Sequence, residues 1–228
     1  MENSLIGPSN LRIIELFMPG HTAAWVYLSR FTYPWEALSG NREFILGLGA
    51  ELDQNEYERR EGNVWIHKSA VVAPSAYFGS AIIIGPGTEV RHCAFIRESV
   101  LVGAGAVVGN STEVKNSILF DEVEAPHYNY IGDSILGYKS HLGAGAITSN
   151  IKSDRTLISV ACGGERIETG MRKLGAILGD NAEVGCNSVL NPGSIVGADA
   201  TIYPLSMVRG FIPPDTIYKR QGEITAKE

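Results

Sequence analysis

Residues 126–134 read PHYNYIGDS and bring together His127, Tyr128, Asn129 and Tyr130. Imidazole is the side chain best matched to taking a proton near neutral pH, so His127 is a candidate general base for a nucleophile that must lose a proton before it reacts. Tyr130, and Asn150 at the end of HLGAGAITSN (141–150), carry donors able to steady negative charge on an attacked oxygen. Each also has a plainer reading. A lone histidine in a regular array is usually a structural hydrogen-bonder. Arg97, Glu113 and Lys115, taken alone, are solvated charges of the kind that discourages strand pairing. His67, His92 and His141 read as surface or corner residues, with His141 close enough in sequence to border a site.

What would position these side chains is a repeat. Steps of six from Ile66 meet Val72, Phe78, Ile84, Val90, Ile96, Val102, Val108, Val114 and Phe120, and the pattern resumes at Leu178, Val184, Leu190, Val196, Ile202 and Val208. A companion column of small or β-branched residues lies two places before each, from Val64 to Ile118 and from Ala176 to Ser206. On a helix a six-residue step rotates successive marks by about 240°, which makes no stripe. On short strands, places i and i−2 share one side. Three such hexads close a coil of about 18 residues, and coils stacked about 4.8 Å apart bury their columns against one another. Gly79, Gly85, Gly103, Gly109, Gly179, Gly185 and Gly197 follow column residues, at corners expected to use positive φ. From Phe120 the next step lands on Pro126, which lacks the N–H of a stacked strand, and the register recovers at Leu136, Leu142 and Thr148. The step is therefore expected to fail at Pro126, where a disturbed corner aims polar side chains outward.

This tract, about 64–215, resembles the left-handed parallel β-helix of hexapeptide-repeat acyltransferases. The left hand is implied by the resemblance alone, since parallel crossovers are usually right-handed. GNSTEVKNS (109–117), PHYNYIGDSILG (126–137) and HLGAGAITSN follow the order and spacing of the acetyltransferase domain of the bifunctional glucosamine-1-phosphate acetyltransferase and N-acetylglucosamine-1-phosphate uridyltransferase. GERIETGMRKLGAILGD (164–180) is most similar to the archaeal branch, with an insertion at about 151–176 before the repeat resumes. The resemblance implies an acetyl-CoA-dependent N-acetyltransferase acting on an amino-sugar phosphate, glucosamine 1-phosphate or a related sugar. His127 would be the base, Tyr130 and Asn150 would contact substrate, and Arg97 and Lys115 would hold the phosphate with Glu113 beside them. The pantetheine arm would pass Gly143, Ala144 and Gly145. A homotrimer with sites shared between neighbours is implied as well. The family's asparagine is followed by an aromatic residue and, further on, a substrate-contacting lysine; Ile151 and Thr156 stand there instead. Lys152, Arg155, Arg172 and Lys173 are the cations left to replace it.

The rest of the chain sets limits. At 228 residues, 44 % hydrophobic and 19 % charged, it can bury one substantial core with a small appendage. A net charge of −6 without a basic cluster excludes the electrostatic footprint of nucleic-acid binding. Glu2, Arg12 and Glu15 interrupt the first apolar stretch, so neither a signal peptide nor a membrane span is expected, and the cytoplasm is the expected setting. Cys93, Cys162 and Cys186 are widely spaced and read as reduced, mostly buried thiols; no metal is expected. Residues 1–63 are too short for the family's nucleotidyltransferase domain, so the chain is not expected to make UDP-sugars. They hold AWVYLSRFTYPWEAL (24–38) and a helix expected over about 41–52, which together cap the open first coil or, alternatively, dock a partner. Residues 216–228 form a C-terminal tail. The expected fold is thus all-β, a left-handed parallel β-helix with a small, partly helical N-terminal cap. Two other functions compete. A zinc carbonic anhydrase would need three histidines, two of them five residues apart, and although His92 and His127 could begin that set, position 132 is Gly132. A non-catalytic scaffold subunit of a sugar-phosphate nucleotidyltransferase is the second.

Overall fold

Short strands stack in parallel along three faces of a prism, in the computed structural model that describes residues 6–227. Glu2 lies outside the described residues. On face one the ladder runs Phe95, Glu113, Tyr130, Ile147, Val189, Met207. On face two it passes through Trp65, Ile83, Leu101, Ile118, Ile135, Ile177 and Ile195, and on face three through Val71, Glu89, Val107, Glu124, His141, Glu183 and Thr201. The molecule is a parallel β-helix, as the six-residue period requires. Among the described residues no helix is long and apolar enough to cross a membrane.

The three faces differ in what covers them. The outward places of faces one and three, from Tyr77 to Met207 and from Val71 to Thr201, are exposed or half-buried, whereas the strands of face two read VWI, III, VLV, SIL, SIL, AIL and SIV. Apolar residues on both sides of a strand mean burial on both sides. Accordingly the outward column of face two, from Trp65 to Ile195, is 5 % exposed or less. Its cover is a strap formed by the N-terminal region, joined at the upper end by the hairpin Ser159–Cys162 and Glu165–Glu168, which packs on Phe211–Ile212 of the same face. The helix Asn41–Glu51 packs on Tyr77–Ile84 and Phe95–Val102, Phe17 packs on Phe120 at 4.8 Å, and His21 stacks on Tyr138 at 3.8 Å. Asp180 accepts the Met18 N–H at 2.7 Å and the Tyr138 N–H at 2.8 Å. At the far end the Cys162 thiol donates to the Gly7 carbonyl at 3.2 Å. Burying one large aliphatic side chain stabilises by roughly 1.5–3 kcal/mol, so the strap is integral to this core. Tyr57–Arg60 pairs antiparallel with Val64–His67 and closes the exposed edge of the first coil. At the other end Thr216–Arg220 and Glu223–Ala226 form an antiparallel pair on the last coil, so the tail is ordered strand.

Three expectations are corrected. The seven corner glycines are not in the left-handed region; that conformation falls two places later, at Ala81, Gly87, Gly105, Ser111, Asn181, Asn187 and Asp199. Glycine is needed because a Cβ would strike the next coil, at Arg97 O from Gly79, at Asp121 N from Gly103 and at Pro126 O from Gly109. The lost step lies at a different corner. Val114 pairs with Ile96, 18 residues earlier, but Leu119 pairs with Val102, only 17 earlier. One residue is therefore missing between faces one and two at Asn116, and another at Asp133 in the following coil, where Leu136 pairs with Leu119. Ser117 and Leu119 take the inward places expected for Ile118 and Phe120, and Ala125 takes the place expected for Pro126. Finally, only Cys162 is buried, with its thiol pushed up to about 11 by burial; Cys93 and Cys186 are exposed because they sit in outward turns between faces three and one.

Gly49, on the strap helix, faces the Trp65 ring, and a Cβ there would lie 2.5 Å from it. The ring is buried and cannot swing away, so Gly49→Ala is expected to destabilise by about 1–3 kcal/mol despite alanine's better helix propensity. Thermal or urea denaturation checks this; an unchanged or raised midpoint would show that the strap does not grip Trp65 as described.

Candidate functional site

The corner that loses a residue twice is where the polar residues gather. Ile96, Val114 and Ile131 are fully buried on the inside of face one, and strand alternation turns Phe95 and Arg97, Glu113 and Lys115, and Tyr130 and Gly132 outward. One coil further on, the same corner holds the insertion, whose neck is closed by the Leu174 N–H donating to the Asn150 carbonyl at 3.0 Å. Stacking thus lifts residues from four coils into one patch.

Arg97 Nη1 donates to Glu113 Oε1 at 2.9 Å. Asn150 Nδ2 donates to Tyr130 Oη at 3.2 Å and to Asp133 Oδ2 at 2.5 Å, and Lys115 Nζ stands 3.7 Å from the same carboxylate oxygen. Asp133 Oδ1 accepts from Asn116 Nδ2 at 2.8 Å. Asn41, at the start of the strap helix, donates to Ser99 O at 2.8 Å and Asn116 Oδ1 at 3.3 Å. Burial, then the Asp133 and Glu113 carboxylates, push the Tyr130 phenol above its ordinary range, so at neutral pH it is a hydroxyl donor. Five of the residues singled out in the sequence, Arg97, Glu113, Lys115, Tyr130 and Asn150, therefore share one flank.

His127 stands slightly apart. It ends the strand Glu124–His127 of face three, next to Asn110, and is exposed at the turn that leads to Tyr130. Buried Asn129 fixes that turn, accepting the His127 N–H at 3.2 Å and donating to Gly143 O at 2.8 Å. Gly143, Ala144 and Gly145 form the equivalent turn one coil on, with the Gly145 N–H on the His127 carbonyl at 3.0 Å. Stacking alone demands two of these small residues: a Cβ on Gly143 would lie 2.7 Å from Cys186 N, and Gly145 has φ 72°. His92, the zinc-site candidate, lies 3.0 Å from the Ser75 hydroxyl. Among the described residues no three His, Cys, Asp or Glu are grouped to hold a metal ion.

Three members of the patch escaped sequence reasoning. Asp133 was visible inside PHYNYIGDS; Asn116 follows Lys115 directly; Asn41 left no signal, because only the strap brings it to the corner. Beside the patch, Lys152, Arg166 and Arg209 line a cavity of about 450 Å³ at the insertion's base. Thr156, in the family lysine's place, bonds Asp154, and Lys152 donates to Leu157 O at 2.7 Å.

No protein-family profile matches the chain. It is 31 % identical over 207 residues to the bifunctional protein GlmU of Methanococcus maripaludis, covering 89 % of this chain and 50 % of that protein. The repeat, the coils and this likeness agree. This chain is a hexapeptide-repeat protein. It is also 30 % identical over 178 residues to a bifunctional sugar-1-phosphate nucleotidylyltransferase/acetyltransferase of Sulfurisphaera tokodaii, covering 77 % of this chain and 44 % of that protein. The chain spans about half the length of the curated relatives it matches. Among solved structures, the acetyltransferase domain of PglB from Neisseria gonorrhoeae matches with a TM-score of 0.29 and 16 % identity, covering 72 % of this chain and 57 % of that one.

Gly132 forms the floor of this hexapeptide-repeat patch. Its backbone is ordinary, but a Cβ would lie 2.6 Å from Tyr130 Oη and 2.9 Å from Asn150 Nδ2. Gly132→Ala is expected to push those two side-chain ends apart at a cost to stability below about 1 kcal/mol, since the ends can move and the backbone cannot object. Any ligand of the patch should bind at least about fivefold more weakly, as one displaced hydrogen bond predicts. Calorimetric unfolding alongside ligand titration tests both halves, and a large stability loss with undiminished binding would contradict them.

Proposed function

We propose that this chain transfers the acetyl group of acetyl-CoA to the amine of an amino-sugar phosphate, glucosamine 1-phosphate or a related sugar. The observation that carries the reading is the convergence of Arg97, Glu113, Lys115, Tyr130 and Asn150 on one flank, where Arg97 bonds Glu113, and Asp133 links Lys115 to Asn150 and through it to Tyr130. The resemblance to acetyltransferases implies roles for the same five, and the Sulfurisphaera relative bears sugar-1-phosphate and acetyltransferase in its name. Arg97 and Lys115 have N–H donors beyond those their carboxylates use, which suits a phosphate monoester.

The substrate arrives mainly as an ammonium ion and is inert until a proton leaves. His127 takes that proton, and the freed amine attacks the thioester carbonyl carbon. Negative charge collects on the carbonyl oxygen, where the Tyr130 hydroxyl or a backbone N–H donates. The C–S bond then breaks, CoA leaves as a thiol with one proton returned from the imidazolium, the nitrogen's second surplus proton passes to water, and the amide remains. Acetyl-CoA lies along the turn of Gly143, Ala144 and Gly145, beside His127.

The reading includes assembly. Tyr77, Phe95, Ile147 and Met207, between 38 % and 61 % exposed, share the outward column of Glu113 and Tyr130, and the strap leaves that face bare. We propose that three copies pack over it and share their sites. Light scattering at micromolar concentration should give three times the chain mass; a monomer would count against the proposal.

Thiol release from acetyl-CoA, run against a panel of amino sugars with and without phosphate, tests the function directly. His127→Ala should lower kcat by about 10²–10⁴-fold with little change in CoA affinity, because base loss acts on the chemical step. Arg97→Ala or Lys115→Ala should weaken a phosphorylated substrate by about 1.5–3 kcal/mol, seen in KM, and leave an unphosphorylated amino sugar almost unaffected. Near-normal turnover by His127→Ala, or equal losses for both kinds of sugar, would overturn the respective assignments. A folded protein that releases no thiol with any amino sugar would favour the scaffold reading.

A further inference from the structure

We propose that Asp133 is the positioning residue of this patch, that it dictates which atoms of Asn150 and Tyr130 face the substrate, and that Asn41 of the strap completes its setting. The inference deepens the function proposed above and rests on it. Asp133 is 4 % exposed, so it acts on its neighbours and not on bulk solvent. Its side chain is an acceptor, and both oxygens are occupied: Oδ1 by Asn116 Nδ2, Oδ2 by Asn150 Nδ2 with Lys115 Nζ nearby. An amide facing such an oxygen must present its nitrogen, so the orientation of Asn150 follows from chemistry.

The two protons on Asn150 Nδ2 are then both committed, one to Asp133 and one to Tyr130 Oη. Asn150 Oδ1 is left as an acceptor turned away from Asp133. Tyr130 Oη, already accepting from Asn150, has its own proton left to give. The patch consequently offers one acceptor beside one donor, a pair that fits a sugar hydroxyl or a neutral amine, each of which both donates and accepts. Asn116 is oriented by the same logic, and its remaining Oδ1 needs a donor, which Asn41 supplies. Asn41 is fully buried, and its own Oδ1 has no partner among the described residues. An orphaned buried oxygen is costly, and an apolar residue would avoid the cost; the amide is explained by what its nitrogen does at Ser99 and Asn116.

The test uses the full chain, with Asp180→Asn as control, because Asp180 is equally buried and tethers the strap at a different corner. Asp133→Asn turns a donor toward donors and should raise KM for the amino sugar by about 10–100-fold, with KM for acetyl-CoA within about twofold of wild type. Asn41→Ala should raise sugar KM by about three- to tenfold. Asp180→Asn should lower the melting temperature at least as much as Asp133→Asn while leaving sugar KM in place. Unchanged sugar KM in Asp133→Asn, or equal rises for both substrates, overturns the assignment. If the wild type acetylates no sugar at all, the functional reading fails separately, and crystal structures of wild type and Asp133→Asn decide the positioning claim. Reorientation of the Asn150 amide and Tyr130 hydroxyl supports it; identical side-chain positions overturn it.

Discussion

Backbone hydrogen bonds between neighbouring coils, repeated on three faces, are the constraint from which the rest of this molecule follows. They hold each coil a strand spacing from the next, too close for a Cβ at the corners, and so they demand glycine where Gly79, Gly103 and Gly109 occur. They also put like positions of successive coils in vertical register. A side chain's neighbours are thus decided by counting along the repeat, and a coil one residue short shifts everything after it.

Two such shortenings, both at the corner between faces one and two, make room for chemistry. A regular corner would continue the columns. Asn116 and Asp133 keep the left-handed conformation that Ala81 and Ser99 take at this corner, with φ 43° and 49°, but turn polar side chains toward each other. The coil above fills the same corner with the excursion that leaves after Asn150 and returns before Ala176, which keeps Asn150 beside Asp133. The apolar column inside pays for none of this disorder of register, because Ser117, Leu119, Ile131 and Leu136 remain fully buried. Rigidity comes from the stack and variability is confined to one edge.

How much of this could be read from residues alone depends on range. The six-residue period is local, so the solenoid and its inward columns were legible up to Val114, again at Leu136, Leu142 and Thr148, and from Leu178 to Val208. Just beyond Val114, a one-residue deletion is invisible in a pattern where Ile118 and Phe120 are as apolar as Ser117 and Leu119 are small and apolar; both frames fit, and only the pairing of Leu119 with Val102 separates them. Arg97, Glu113, Lys115 and Tyr130 were named through the resemblance, since the repeat alone leaves Arg97, Glu113 and Lys115 as solvated edge charges. Asn41 was not, since its place depends on a strap whose contacts join residues far apart in sequence. The strap itself had a readable trace: the outward places of face two, from Trp65 to Ile195, are all apolar, which announces a cover without saying which segment supplies it.

The strap also imposes an order of events on the newly made chain. Gly7 meets Cys162 across 155 positions, and Met18 meets Asp180 across 162. Residues 6–20 therefore leave the ribosome long before their upper partners exist, and although the helix Asn41–Glu51 meets Tyr77–Ile84 and Phe95–Val102 soon after they are made, the outer column of the upper coils stays bare until the last of it has been synthesised. Contacts at such separation close late and slowly, and exposed apolar strands in the interval are prone to associate with other chains. Coils can stack one upon another as they emerge, but the seal over face two waits for the upper coils. This β-helix is therefore built from the bottom and fastened from the top, and it is most vulnerable to aggregation while the solenoid stands complete and its strap hangs loose.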